Sequence, residues 1–471
     1  MMLPAVPDPR PDFDVAVIGA GVVGCALARA FTLAGARVVV LEKAAEVLDG
    51  ASKGNSAILH TGFDAPGDSL ELACIREGHA LYLEVRERLG LPLLRAGAMV
   101  LAWSDEEVAA LPALMAQAVA NGVTDIEPLT GAQARAREPE LSGAVRAGFR
   151  VPGEHLIDPW SAAHGYLLQA LANGAVLLRR AEVLAGRRVG DLWHLDTAAG
   201  QVRAGLVINA AGLWGDVVDR RVTGQSWFAI RPRKGQFVVF DKTAAALAGH
   251  ILLPVPTKIT KGIVVCRTVF GNLLVGPTAE EQDDRERATV ETATLQALVR
   301  RGIEILPALA RHEVTAFYAG LRPATEEKHY RIRTDLAEGY VCVGGIRSTG
   351  LSAALGIAAH VLRLAGPGPG FGSASGPLVD PVWPVSPNIS VLGERDWQRP
   401  GNGGIVCHCE LVTRREIEAA LTGPLAAASL AGLKRRTRAT MGRCQGFYCS
   451  AELARLTEGR LAEPMLGPVD G

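Results

Sequence analysis

The sequence predicts an α/β fold of several domains, and three observations carry that prediction. Near the start, a short apolar strand runs into Gly19-Ala20-Gly21-Val22-Val23-Gly24, then a helical pattern and a second strand ending in an acid. Between Ile230 and Thr278, short β-type runs are separated by Pro and Gly. Past a stretch rich in Gly and Pro, four of the eight cysteines crowd the tail.

The chain of 471 residues exceeds one ordinary core, since domains usually hold roughly 100 to 200 residues. With 49 basic and 49 acidic residues there is no global field for a polyanion, so nucleic acid is not an expected partner. No run approaches the ~20 apolar residues of a bilayer-spanning helix, and Met1 to Pro11 has no apolar signal core. Residence in the cytoplasm is the expectation. In a reducing compartment, crowded cysteines argue for a metal before disulfides. The scattered Cys25, Cys74, Cys266 and Cys342 read as structural thiols.

Asp14 to Ile18 reads as a buried parallel strand, and helical periodicity follows through Ala34. Gly19, Gly21 and Gly24 allow a tight turn, close backbone approach to a pyrophosphate and close packing of helix on strand. The helix N-terminus faces the negative charge. The second strand, Arg37 to Leu41, ends in Glu42, followed by Lys43, at the distance where a carboxylate binds a ribose hydroxyl. The order describes a Rossmann-type dinucleotide site without separating FAD from NAD.

Three further segments resemble the D-amino-acid-oxidase-like superfamily of flavoproteins, which includes glycerol-3-phosphate dehydrogenases and L-2-hydroxyglutarate dehydrogenases. Gly50-Ala51-Ser52-Lys53-Gly54-Asn55-Ser56-Ala57-Ile58-Leu59-His60-Thr61-Gly62 is similar to the family loop over the flavin. Val207 to Gly215, with Ala211 and Gly212, is similar to its late strand and turn. Gly344 to Leu351, with Gly345, Ser348, Thr349, Gly350 and Leu351, is similar to the turn beside the isoalloxazine ring. The resemblance spans 12 to 365 and implies FAD, held by these residues together with the glycine turn, Glu42, Lys43, Ser52, Asn55 and Ser56. It implies a Rossmann-type FAD-binding domain assembled from 12–90, 150–220 and 335–365, and an antiparallel-sheet substrate domain from 91–149 and 221–334. Arg285 to Leu306 reads as a helix stopped by Pro307. A linker is expected over 366–400, its Gly/Pro/Ser/Ala-rich part being Gly366 to Gly376.

In the tail, Cys407-His408-Cys409 and Cys444-Gln445-Gly446-Phe447-Tyr448-Cys449 form a CxC…CxxxxC arrangement that can supply four thiolates to a 2Fe-2S cluster. Zinc is the rival, because four cysteinates also close a tetrahedral site, but zinc transfers no electrons beside a flavin. Thr413 with Glu416 is a capping-box pattern opening a helix. These residues and the flank Thr437-Arg438-Ala439-Thr440-Met441-Gly442-Arg443 resemble the bacterioferritin-associated-ferredoxin-like domain, also found at the C-terminus of the anaerobic glycerol-3-phosphate dehydrogenase large subunit. The resemblance implies a small helical 2Fe-2S domain over 401–465 with Cys407, Cys409, Cys444 and Cys449 as ligands. Electrons would pass to an electron-accepting protein subunit or quinone-linked partner, which could hold the chain at the inner membrane periphery. His408 is expected to face solvent. Arg435, Arg436, Arg438 and Arg443 are expected to favour the reduced cluster, to dock an acidic partner or to form a solvated basic face.

In the superfamily, the substrate C–H faces the flavin and the protein orients the anion. Gly320-Leu321-Arg322-Pro323 resembles its arginine segment, with Arg322 at a strand end; Arg347 is a second anion anchor and His60 the candidate base. His329 and Tyr330 are further candidates, and Lys258 and Lys261 would belong to a loop over the site. Where glycerol-3-phosphate dehydrogenases carry an Arg-Tyr, this chain has Phe63-Asp64-Ala65, and their Gly-Gly-Lys is replaced by Gly345-Ile346-Arg347. The run His60 to Leu70 looks more like the L-2-hydroxyglutarate dehydrogenase loop. The expected substrate is a small anionic alcohol, either a 2-hydroxy acid such as 2-hydroxyglutarate or glycerol 3-phosphate. The alternatives are an opine or D-amino-acid dehydrogenase and a non-catalytic electron-transfer module.

Overall fold

The computed structural model describes residues 13–256, 262–366 and 376–465. Most of the Gly366 to Gly376 run, with Lys258 and Lys261, lies outside the described residues.

Runs of Val and Ile that are apolar at every position need cover on both faces, which a parallel sheet between helices provides. The core of the first sheet is parallel and runs Val176–Leu178, Val38–Leu41, Phe13–Ile18, Gly200–Asn209, Tyr340–Gly344. Its register brings Ile18 beside both Leu41 and Asn209, so three strand ends finish at one level. Antiparallel strands Val183–Val189 and Leu192–Thr197 extend the sheet beside the first half of Gly200–Asn209, and Arg331–Asp335 extends the same side beyond Tyr340–Gly344. Helix Val22–Leu33 packs on helices Pro159–Ala172 and Gly350–Ala365, and Leu70–Val85 packs on the last. That last crossing is backbone-close: a Cβ at Gly356 would meet Cys74 O at 2.1 Å, and one at Gly78 would meet Ser352 O at 2.2 Å. Phe31, Tyr82 and Tyr166 fill the interior, each side chain stabilising by about 1.5–3 kcal/mol through burial.

The second sheet has nine strands. Its spine is Ile230–Phe240 paired antiparallel with Val314–Thr325 along their whole length. All its pairings are antiparallel except one: Ile251–Pro254 runs parallel to Ala98–Ala102, which makes the expected antiparallel sheet a mixed one. The expected helix from Arg285 begins only at Thr292 and ends at Ile305. Arg285 is drawn away instead, its guanidinium bonded to Asp216 and to the Leu213 carbonyl.

The tail folds around its own apolar cluster of Val412, Ile417, Leu433 and Leu453. Thr413 and Glu416 cap helix Arg414–Ala420 reciprocally, and helices Leu430–Thr437 and Ser450–Thr457 follow. Three of the four tail arginines do not face solvent, so they do not form the solvated basic face that was one of the expected readings. Arg436 pairs with Glu46 at 2.7 Å, Arg435 donates to Val47 O, and Arg438 bonds Glu410 at 2.7 Å, all with buried side chains. Arg443 remains exposed yet reaches Asp241 at 2.8 Å. A carboxylate buried at Glu46 requires a partner, and the tail supplies it, so Arg436 and Arg435 clamp the tail to the body. Residues 376–395, without helix or strand, lie along the body through backbone bonds from Leu378, Ser386 and Val391 to Leu33, Leu89 and Val269.

Candidate functional site

A cavity of about 1020 Å³ opens where the strand ends of the first sheet meet the spine of the second. The glycine turn forms one wall. Gly19 has φ +105, and a Cβ there would stand 2.7 Å from Ala210 O; at Gly24 it would stand 1.9 Å from Gly19 O. Those two glycines are required by packing. Gly21 differs, because its Cβ would meet only Ser52 Oγ at 3.3 Å, so its bare backbone leaves a cradle on the cavity side. Ser52 Oγ accepts from Val22 N at 3.0 Å, tying the loop over the cavity to the helix start. Glu42 accepts from Ala20 N at 2.8 Å and Ala44 N at 2.9 Å. Burial raises its pKa, and those two N–H donors oppose the rise.

Of the residues expected to hold a cofactor, all but two line this cavity. These are Gly19, Gly21, Glu42, Lys43, Ser52, Asn55, Ser56, Ala211, Gly212, Gly345, Ser348, Gly350 and Leu351. Gly24 lies beneath the turn. Thr349 is buried, its hydroxyl meeting Tyr330 and Glu71 at 2.7 Å each. The space, the bare Gly21 and the helix N-terminus fit a dinucleotide such as FAD.

His60, Arg322 and Arg347 face the same cavity. Its geometry comes largely from residues without a motif. The His60 backbone N–H donates to Ser352 Oγ at 2.9 Å, and its ring Nδ1 lies 2.8 Å from Glu154 Oε2. Glu154 is wholly buried and also accepts from Thr61 N at 2.6 Å and Thr61 Oγ1 at 2.8 Å. Burial would raise this carboxyl, but the His60 ring and the Thr61 donors outweigh it and hold the pKa below the usual range. An ionised Glu154 accepts a hydrogen bond from Nδ1–H and leaves Nε2 as the lone-pair nitrogen.

Arg322 lies inside strand Val314–Thr325, not at its end, and is directly cross-strand from Arg233. Both side chains line the cavity, and Arg233 is paired at its outer side with Glu281 at 3.2 Å. A Cβ at Gly235 would stand 2.5 Å from Arg322 Nη2, so that glycine makes room for the guanidinium. Arg322 donates to the Thr278 carbonyl, and among the described residues no carboxylate forms an ion pair with it. Burial lowers its pKa to about 10, and the charges of Arg233 and Arg347 act in the same direction. Of the other candidates, His329 is exposed beside Glu327, and Tyr330 is buried with Thr349.

The four tail cysteines lie together. Cys409 hydrogen-bonds Cys444, and Cys407 hydrogen-bonds Cys449. Backbone N–H groups of Tyr448, Gly446 and Phe447 point at Cys444 and lower its pKa. Left-handed Gln445 and Gly446 shape that nest. Four thiols with backbone donors around one sulfur are a donor set that a two-iron cluster takes. His408 is exposed on the loop.

Glu154, Arg233 and Ser352 escaped the sequence reading. Only the alternation of strand Ile230–Phe240 could have pointed to Arg233; Glu154 and Ser352 carry no local signal.

The family model for FAD dependent oxidoreductases matches residues 14–364, and that for the BFD-like [2Fe-2S] binding domain matches 405–458. The chain is 31% identical to a glycerol 3-phosphate dehydrogenase of Caloramator mitchellensis, over 96% of this chain and 95% of the relative. It is 25% identical to one subunit of the anaerobic glycerol-3-phosphate dehydrogenase of Escherichia coli (strain K12), over 94% and 88%. Among solved structures it is similar to a dithionite-reduced L-alpha-glycerophosphate oxidase of Mycoplasma pneumoniae with FAD bound. The TM-score is 0.70 at 28% identity, covering 75% of this chain and 94% of that one.

Proposed function

The chain belongs to the FAD-dependent oxidoreductase family, and from that premise we propose that it is a dehydrogenase of a small anionic alcohol, with glycerol 3-phosphate the first candidate. The observation that carries the reading is the cross-strand pair Arg233 and Arg322. Like charges directly opposite each other on a sheet are destabilising, and a third cation, Arg347, adds to the repulsion. An anion bound between them turns that repulsion into charge-assisted hydrogen bonds.

FAD in this cavity supplies the hydride acceptor. Arg322 and its neighbours hold the phosphate or carboxylate. His60 Nε2 takes the hydroxyl proton as the C–H bond is lost, and Glu154 stabilises the imidazolium that forms. The alcohol becomes a ketone; Cys407, Cys409, Cys444 and Cys449 would hold a 2Fe-2S cluster, which would supply one-electron transfer toward an electron-accepting subunit or quinone-linked partner. The Escherichia coli relative is itself named as one subunit of its enzyme, which supports a separate partner. Among the described residues no helix is long and apolar enough to cross a membrane.

Anaerobic titration followed in the visible spectrum tests the reading. Glycerol 3-phosphate is expected to bleach the flavin. Bleaching by L-2-hydroxyglutarate alone would move the assignment to hydroxy acids, which the loop Phe63-Asp64-Ala65 favours. Bleaching only by N-alkyl amino acids would replace the alcohol with an amine donor.

A further inference from the structure

We propose that Trp160, Phe270 and Arg438 form the electron-carrying connection between the cavity and the four-cysteine domain; the inference rests on the reading of the chain as a flavin-to-cluster dehydrogenase. The indole Nε1 of Trp160 donates to the Lys53 carbonyl at 3.3 Å, and Lys53 is part of the loop that walls the cavity. The indole lies nearly flat on Phe270, with centroids 5.5 Å apart and planes at 16°. The Arg438 guanidinium sits over the Phe270 ring at 4.0 Å. Arg438 Nε then bonds Glu410, the residue after Cys409, at 2.7 Å. Two residues beyond Arg438, the Thr440 N–H donates to the Cys449 sulfur.

The contact passes from the helix Pro159–Ala172 to the turn before strand Leu273–Gly276, and from there to the tail. It is the place where all three parts of the molecule meet through rings and a planar cation. Electron tunnelling weakens steeply across empty space and much less across packed atoms and hydrogen bonds, so an unbroken stack is the favourable route. Arg438 adopts φ +69 as the C-cap of helix Leu430–Thr437, and its buried charge is held by Glu410 and by Asn272. The bond to Asn272 joins the tail to the turn that carries Phe270.

The substrate gives up two electrons with its hydride. The cluster accepts one at a time, its two ferric ions becoming one ferric and one ferrous, and a one-electron acceptor protein removes each before the next arrives. Neither ring is oxidised, and no proton travels along the stack.

The test uses the full-length protein loaded with FAD and cluster, mixed anaerobically with substrate in a stopped-flow instrument and sampled by freeze-quench paramagnetic resonance. In Phe270→Leu, flavin bleaching is expected to keep its rate while growth of the reduced-cluster signal slows about tenfold. Phe270→Tyr, which keeps the ring, restores the rate. Dithionite must give the same cluster spectrum in every variant, showing that the cluster itself is intact. If Phe270→Leu fails to fold, Trp160→Leu against Trp160→Phe makes the same comparison. Cluster reduction at the parental rate in the leucine variants overturns the route alone. A parent chain whose flavin bleaches while its cluster stays oxidised overturns the underlying reading and the route with it.

Discussion

Glu154 acts through His60. Its buried carboxylate fixes one ring nitrogen as a donor and leaves the other to meet the substrate hydroxyl. Glu154→Gln is expected to lower kcat by roughly 10²-fold or more with little change in KM, measured by steady-state reduction of an artificial acceptor. The same carboxyl links stability to pH. Its folded pKa lies below its ordinary value of 4.5, so its contribution is fully present above that value and is lost as pH falls through the folded one. Melting temperatures of the parent and Glu154→Gln should therefore differ near neutrality and converge on the acid side. Arg322 makes a different prediction. Removing one charged hydrogen-bonding group costs about 1.5–3 kcal/mol, so Arg322→Met should raise KM for the anionic substrate about tenfold to a hundredfold while the variant stays folded. A KM unchanged from the parent would remove Arg322 from the anion site.

At the level of elements, the parts legible in the sequence were those whose chemistry is local. The tie from the turn to the loop over the cavity and the acid at 42 rest on neighbours within thirty residues, and the capping box at Thr413 on one three residues away, although Gly19 also answers to Ala210. Gly24→Ala makes the glycine turn testable. The new methyl would meet the Gly19 carbonyl at 1.9 Å, so the turn must open and flavin should be lost on gel filtration, read as the FAD-to-protein ratio. Arg233 was illegible because its importance comes from a strand register that sets it opposite Arg322, more than eighty positions on. The same pairing moved Arg322 from an expected strand end to the interior. The helix expected from Arg285 begins late because an ion pair with Asp216, invisible to periodicity, holds Arg285 in an irregular bend away from the helix.

Across the whole molecule, the tail was legible as a cluster domain from four cysteines and their flanks, but its place was not. A basic run reads as a solvated face until the carboxylates that bury it are known, and Glu46, Asp49 and Asp241 lie far away in sequence. Cys444→Ser should remove the cluster's visible and paramagnetic signals yet leave substrate bleaching of the flavin, because the cavity does not include the tail. Glu46→Gln should be far more damaging than a surface change. It strands Arg436 and weakens the bond to Ala428 N, so about 3–5 kcal/mol of stability is expected to go, measured by chemical denaturation. The partners in that contact are 390 positions apart. As the chain emerges from a ribosome, its N-terminal part therefore waits with an unneutralised carboxylate until the helix bearing Arg436 has been made. A product terminated before that helix keeps the defect permanently. Synthesis of the tail thus becomes a condition of maturation, and fragments able to bind flavin but unable to pass electrons on are left as substrates for proteolysis.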